Sequence, residues 1–153
     1  YLNQLEFLDI SHNELTALPL FFGNLSTLQE FKVGFNSFSS LPESIGKLSN
    51  LQLLDLRLNN LSQLPTSFDQ LKNLKQLHLE NNRFKDIPKA LSKLKGLIFL
   101  DIGYNALENI PESIGQLANL NQLNLDGNQL SNLPQSLLDS VALRKLHLLN
   151  NGA

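Results

Sequence analysis

The 153-residue chain contains no cysteine, no methionine and no tryptophan. Without cysteine, a disulfide framework and a thiolate metal site are both excluded. The absence does not by itself fix a redox compartment. Charge is also sparse. Asp, Glu, Lys and Arg make up 17% of residues, and the formal net charge is -2. That balance is too close to neutral to draw in a nucleic acid by bulk attraction. No apolar run approaches the ~18 residues of a membrane span. Apolar residues nevertheless reach 42%, enough for a packed interior in one domain of ordinary size.

What is present is periodic. Asn13, Asn36, Asn59, Asn82, Asn105, Asn128 and Asn151 recur every 23 residues. The 6 prolines keep the same interval: Pro19, Pro42, Pro65, Pro88, Pro111 and Pro134. No insertion breaks either series, and a fixed period of this length is the signature of a solenoid. Around each Asn runs the pattern LxxLxLxxNxL, as in Leu51, Leu54, Leu56, Asn59 and Leu61. Alternating Leu54 and Leu56 predict a short strand that points both inward and Asp55 outward. One such strand cannot bury its face alone, so the units must stack and close the core between neighbours. Seven strands at ~4.8 Å would make a parallel ribbon roughly 29 Å long. The Asn amide, turned inward, needs partners for its donors and acceptor. Bridging the backbones of successive units supplies them, so the seven asparagines form a structural ladder. Proline suits the first position of a helical turn. Ile45 and Leu48 then lie three apart on one face, which predicts short helical or 3₁₀ turns on the outer side. Gly23, Gly46 and Gly115 are expected there to permit a tight exit.

The pattern LPxxIGxLxxLxxLxLxxNxL, carried by Leu41, Pro42, Ile45, Gly46, Leu48, Leu51, Leu54, Leu56, Asn59 and Leu61, resembles the leucine-rich repeat family. Its 23-residue form is similar to bacterial repeats abundant in Leptospira, and to intracellular Ras-binding-type repeats. The resemblance covers the whole chain. It implies an α/β horseshoe, with parallel strands on the concave face and short helical or 3₁₀ turns on the convex face. Residues 1–153 make a single domain of about seven units. Tyr1 aligns with Asn24 and Ala153 with Leu130, so both ends fall in mid-repeat. The expectation is that a cap, a leader or another domain lies outside, and that uncapped ends favour self-association.

Side chains on the concave face are free of core duties, so a partner protein is expected there. The column between the inward leucines reads Asp9, Lys32, Asp55, His78, Asp101, Asn124 and His147. It suggests mutual charge satisfaction or a polar strip read by a partner. The preceding column supplies Phe7, Glu30, Leu53 and Phe99; the column before the ladder Asn supplies Phe35, Leu58 and Tyr104. Aromatic and bulky residues grouped on one face mark interfaces. Arg57 and Glu80 complete the polar rim. On the outer side, Leu20 and Phe21 stand where other units have Glu43-Ser44 or Glu112-Ser113. Packing against a further N-terminal element, or a second interaction site, accounts for them.

Chemistry is not indicated. No phosphate loop, HExxH or GxSxG motif occurs. His78 and His147 share a column but sit ~14 Å apart, too far to ligate one metal. A cation held by Asp55, His78 and Asp101 is conceivable, but imidazole beside carboxylate is commonly a solvated pair. No catalytic residue, metal or cofactor is therefore assigned. Lys85, Lys89, Lys93 and Lys95 cluster on the outer side, and a solvated charged face explains them. The resemblance implies a secreted or surface-associated bacterial protein that engages host or envelope proteins. The alternative is a cytoplasmic one, the repeat segment of a larger regulator such as a Roco-type GTPase or a kinase.

Overall fold

The computed structural model describes residues 2–152. Tyr1 and Ala153, on which the mid-repeat ends were placed, lie outside the described residues. Seven three-residue strands form one parallel sheet in chain order. They are β1 (Phe7–Asp9), β2 (Glu30–Lys32), β3 (Leu53–Asp55), β4 (Gln76–His78), β5 (Phe99–Asp101), β6 (Gln122–Asn124) and β7 (Lys145–His147). The register follows the sequence period without slip: Leu54 pairs with Leu77, and Leu77 with Leu100. A one-residue slip would turn the buried leucines to solvent, so the apolar pattern enforces this register. Each return path carries one short turn. Five are 3₁₀ turns, at Leu20–Asn24, Glu43–Lys47, Thr66–Gln70, Lys89–Lys93 and Glu112–Gln116; the sixth is the α-helical turn α1, Gln135–Leu138.

Between sheet and turns lies one continuous core. Leu54, Leu56, Leu61, Phe68, Leu71 and Leu74 are fully buried within it. Burying such a side chain stabilises by about 1.5–3 kcal/mol, and each unit repeats that gain only because its neighbours cover it.

The asparagines stitch successive units together. Asn59 donates to the carbonyls of Val33 and Leu56, each at 3.2 Å, and its Oδ1 accepts the N–H of Phe38 at 3.0 Å. Thus one side chain satisfies groups of its own unit and of the one before. A second amide row lies at an exposed corner: Asn50, Asn73 and Asn119 donate to Ser26, Ser49 and Lys95 carbonyls. Carboxylates add a third link. Glu43 accepts the N–H groups of Thr66 and Ser67 in the next turn, and Glu112 those of Gln135 and Ser136. The Ser67 bonds come first among the causes that hold the Glu43 carboxyl below its ordinary range.

Two local expectations are corrected. The prolines do not occupy the first helical position. Pro42 sits one residue earlier, extended at φ -70 and ψ 150, and its carbonyl accepts the first 3₁₀ bond from Ile45. Its missing N–H therefore costs the turn nothing. The recurring glycines also have a different cause. Gly23, Gly46 and Gly115 do not carry the positive φ of a tight exit. Instead, a Cβ on Gly46 would lie 2.5 Å from the Ser67 carbonyl oxygen, and one on Gly115 2.6 Å from the Ser136 Cβ. Glycine is required by the close approach of the next turn. Gly46→Ala should therefore lower stability by about 1–3 kcal/mol, the cost of overpacking a site that cannot move. Urea unfolding checks this, and an unchanged midpoint would contradict it.

Candidate functional site

The outward face of the sheet brings most of the predicted partner residues together, but it does not expose them equally. Phe7 is half exposed, and the ammonium of Lys32 sits 5.6 Å from its ring centre. Glu30, Leu53, His78, Glu80 and Phe99 are half-buried. The His78 and Phe99 rings meet at 4.9 Å.

The row read as a charge strip has another task. Asp55 and Asp101 are buried, each only 9% exposed. Asp55 Oδ1 accepts the backbone N–H of Arg57 at 3.1 Å, and Asp101 Oδ1 that of Gly103 at 2.9 Å. Asp9 and Asn124 do the same for Ser11 and Asp126. A short acceptor two residues before the N–H is the Asx arrangement that turns a chain. These side chains end their strands. The bond from Ser11 is also the main reason that the Asp9 carboxyl is held below its ordinary value. Asp55 further binds the Arg57 guanidinium, with Nε at 2.9 and 3.0 Å from its two oxygens. That bond raises the Arg57 pKa above its usual value.

The column before the ladder Asn has a conformation that sequence reasoning missed. His12, Phe35, Leu58, Asn81, Tyr104 and Asn150 all hold positive φ, between +52 and +59; the seventh member, Gly127, is at +68. Each is the residue just before a ladder asparagine. The left-handed turn swings the chain off the strand so that the asparagine can face inward. Side chains here stand on the outer rim of the sheet. His12 and Phe35 stack, with ring centres 4.0 Å apart and planes at 14°. Phe35, Leu58 and Tyr104 are 39%, 38% and 51% exposed.

Elsewhere, a groove of about 1130 Å³ is lined by Arg83, Lys85, Lys89 and Lys93 among others, and by no strand residue. Lys95 donates instead to the Gln116 carbonyl. Leu20 and Phe21 are 81% and 70% exposed on the first 3₁₀ turn. Among the described residues, no cluster of three or more His, Asp or Glu is placed to hold a metal ion. No described helix is long and apolar enough to cross a membrane.

A stack of strand-and-turn units with an open polar and aromatic sheet face defines a repeat scaffold. The chain belongs to the leucine-rich repeat family. A leucine-rich repeat region model matches residues 33–104, and a leucine rich repeat model matches residues 4–25. Among solved structures, a leucine-rich repeat protein of Leptospira interrogans is 42% identical, with a TM-score of 0.89. The match covers 91% of this chain and 36% of the other, so the chain spans about a third of that protein's length. Among proteins of curated function no match was found. Scaffolds of this family generally serve protein interaction and are typically not enzymes.

Proposed function

We propose that the strand face binds a partner protein, with Phe35, Leu58 and Tyr104 as its apolar anchors and Arg57 and Glu80 as polar neighbours. One observation carries this reading. Phe35, Leu58 and Tyr104 hold φ of +56, +52 and +52 while remaining exposed. A bulky residue in the left-handed region costs about 1 kcal/mol or more. Asparagine and glycine bear that conformation at lower cost, and the chain uses them at Asn81, Gly127 and Asn150. Folding gains little in return from side chains so exposed. A bound partner that covers them would offset the cost, because burying aromatic and aliphatic anchors is where interface energy concentrates.

The same proposal places the chain in a secreted or surface-associated bacterial protein that engages host or envelope proteins. Its support is the likeness to the Leptospira protein.

The test is retention of host extracellular proteins and of envelope proteins on the immobilised chain. Tyr104→Ala, at an exposed anchor, should lose at least about tenfold of the retained partner, as truncating an anchor does. Lys93→Glu, on the groove away from the strands, should retain it. Equal retention by all three chains would overturn the strand-face assignment.

A further inference from the structure

The centre of the strand face holds more proton acceptors than protons. Arg57, the permanent cation there, is committed to Asp55, with its Nη2 2.9 Å from Oδ2. The same Nη2 lies 3.4 Å from His78 Nδ1. That ring nitrogen in turn lies 3.4 Å from Glu80 Oε2. A single nitrogen cannot accept from the guanidinium and donate to the carboxylate at once. Glu80 Oε1 is worse placed: it is buried and receives no N–H or O–H from the groups around it. Its neighbour across the strands is Asp101: the N–H groups that flank Glu80, of Leu79 and Asn81, bond the Asp101 and Gly103 carbonyls at 2.7 and 3.0 Å. Asp101 is also buried, and its own donors come from Gly103 and Asn124 at 2.9 and 3.2 Å. Asn124 closes the far side of Asp101, and it is not a cation.

Two carboxyl groups side by side in a desolvated place do not both ionise readily; one proton between them relieves the repulsion and supplies the missing donor. We propose that Glu80 and Asp101 share one proton and so regulate the strand face. With the proton in place the two carboxyls are bonded to each other. Without it they repel, and the face presents one more negative charge to its partner.

The electrostatics agree with the geometry. Burial, then the bond and charge of Glu80, push Asp101 up to about 7, against the pull of the Gly103 N–H and of His78. Burial also works to raise Glu80, but its bonds to His78 and Asp101 outweigh it and hold that carboxyl below its ordinary value. The folded chain thus keeps at Asp101 a proton that an unfolded one releases near 3.8. The sign follows: stability from this group falls as pH rises from that value to about 7, and is level above it.

The regulatory role rests on the partner-binding reading of the face; the shared proton does not. A carboxyl-detected NMR titration of the full chain separates the two. The Asp101 carboxyl carbon should titrate near pH 7, and the Glu80 carbon, whose oxygen loses that proton's bond, should shift in the same step. In Asp101→Asn, that step should vanish from the Glu80 carbon. Wild-type carboxyls that both titrate below about pH 5 would overturn the shared proton. Retention of partner proteins at pH values either side of the step should differ at least about twofold in the wild type and not in Asp101→Asn. Equal retention across a confirmed step would overturn the regulation alone. No retention at any pH, with the step present, would overturn the strand-face reading and leave the shared proton standing.

Discussion

A chain carrying Phe35→Asn, Leu58→Asn and Tyr104→Asn together should melt at a higher temperature than its parent and retain no partner. The two halves of this result come from one conformation. At φ of +52 to +56 the Cβ of an ordinary residue crowds its own backbone. Asparagine tolerates that region, because its short polar side chain bonds locally. Three replacements should therefore recover about 1 kcal/mol each. Part of the gain is returned. Phe35 gives up its stack on His12, and Tyr104 its contact over Gly127, a place so close that no Cβ fits there. A net gain of about 1–2 kcal/mol remains, or roughly 2–8 °C for a domain of this size. The same change deletes the three apolar anchors from the proposed interface. Losing hot-spot side chains of about 2 kcal/mol each lowers affinity by well over a thousandfold, far past detection for a partner of ordinary strength. Thermal melting and partner retention, measured on the same preparation, decide both points. A lower melting temperature would refute the strain; undiminished retention would refute the interface. Charge reversal at Asp55 is a poorer probe. Asp55 ends its strand and anchors Arg57, so its loss would unfold what it was meant to test.

The period of Asn and Pro, the strand positions and the buried leucines were legible in the sequence because burial imposes spacing, and spacing is visible in a string of letters. The Asx turns were less so. Asp9, Asp55 and Asp101 invite a reading by charge, and only the backbone N–H two residues on reveals their use as strand ends. The glycines misled for a similar reason. Gly46 answers to Ser67, a neighbour in space 21 positions along, and not to its own dihedral angles. Two signals were present and unread. Asn50, Asn73 and Asn119 also fall on the 23-residue grid and form a second amide row. The left-handed row mixes His12, Asn81, Gly127 and Asn150, residue types enriched at positive φ, with three that are not. That mixture names the conformation and marks its exceptions. The shared proton of Glu80 and Asp101 had no signature at all, since it depends on which oxygens are left without donors.

Asn82→Ala should destabilise the chain more than Asn13→Ala. Asn82 is 9% exposed. It donates to the carbonyls of Leu56 and Leu79 at 2.9 and 3.1 Å, and accepts the Leu61 N–H at 2.9 Å. Alanine leaves the buried Leu61 N–H without its acceptor, while the Leu56 and Leu79 carbonyls each keep one donor, from Asn59 and Asn105. Each unsatisfied group costs about 1–3 kcal/mol, less where water can enter. A cost of about 1–3 kcal/mol follows, within the common range for one substitution. Asn13 offers the contrast. It is exposed, and its amide donates only within its own unit, to Ile10 and Ser11. Asn13→Ala should cost under about 1 kcal/mol, in the range of surface substitutions. Urea unfolding of the two variants separates a ladder that couples units from an amide that merely closes a turn. Matching shifts in midpoint would overturn the coupling. The bonds also predict which replacement is worse. Asn82→Asp keeps the acceptor for Leu61, but it loses both donors and brings a charge where the Leu56 and Leu79 carbonyls point. It should destabilise more than alanine above its own pKa, and the difference should shrink in acid as the carboxyl takes up a proton and regains one donor.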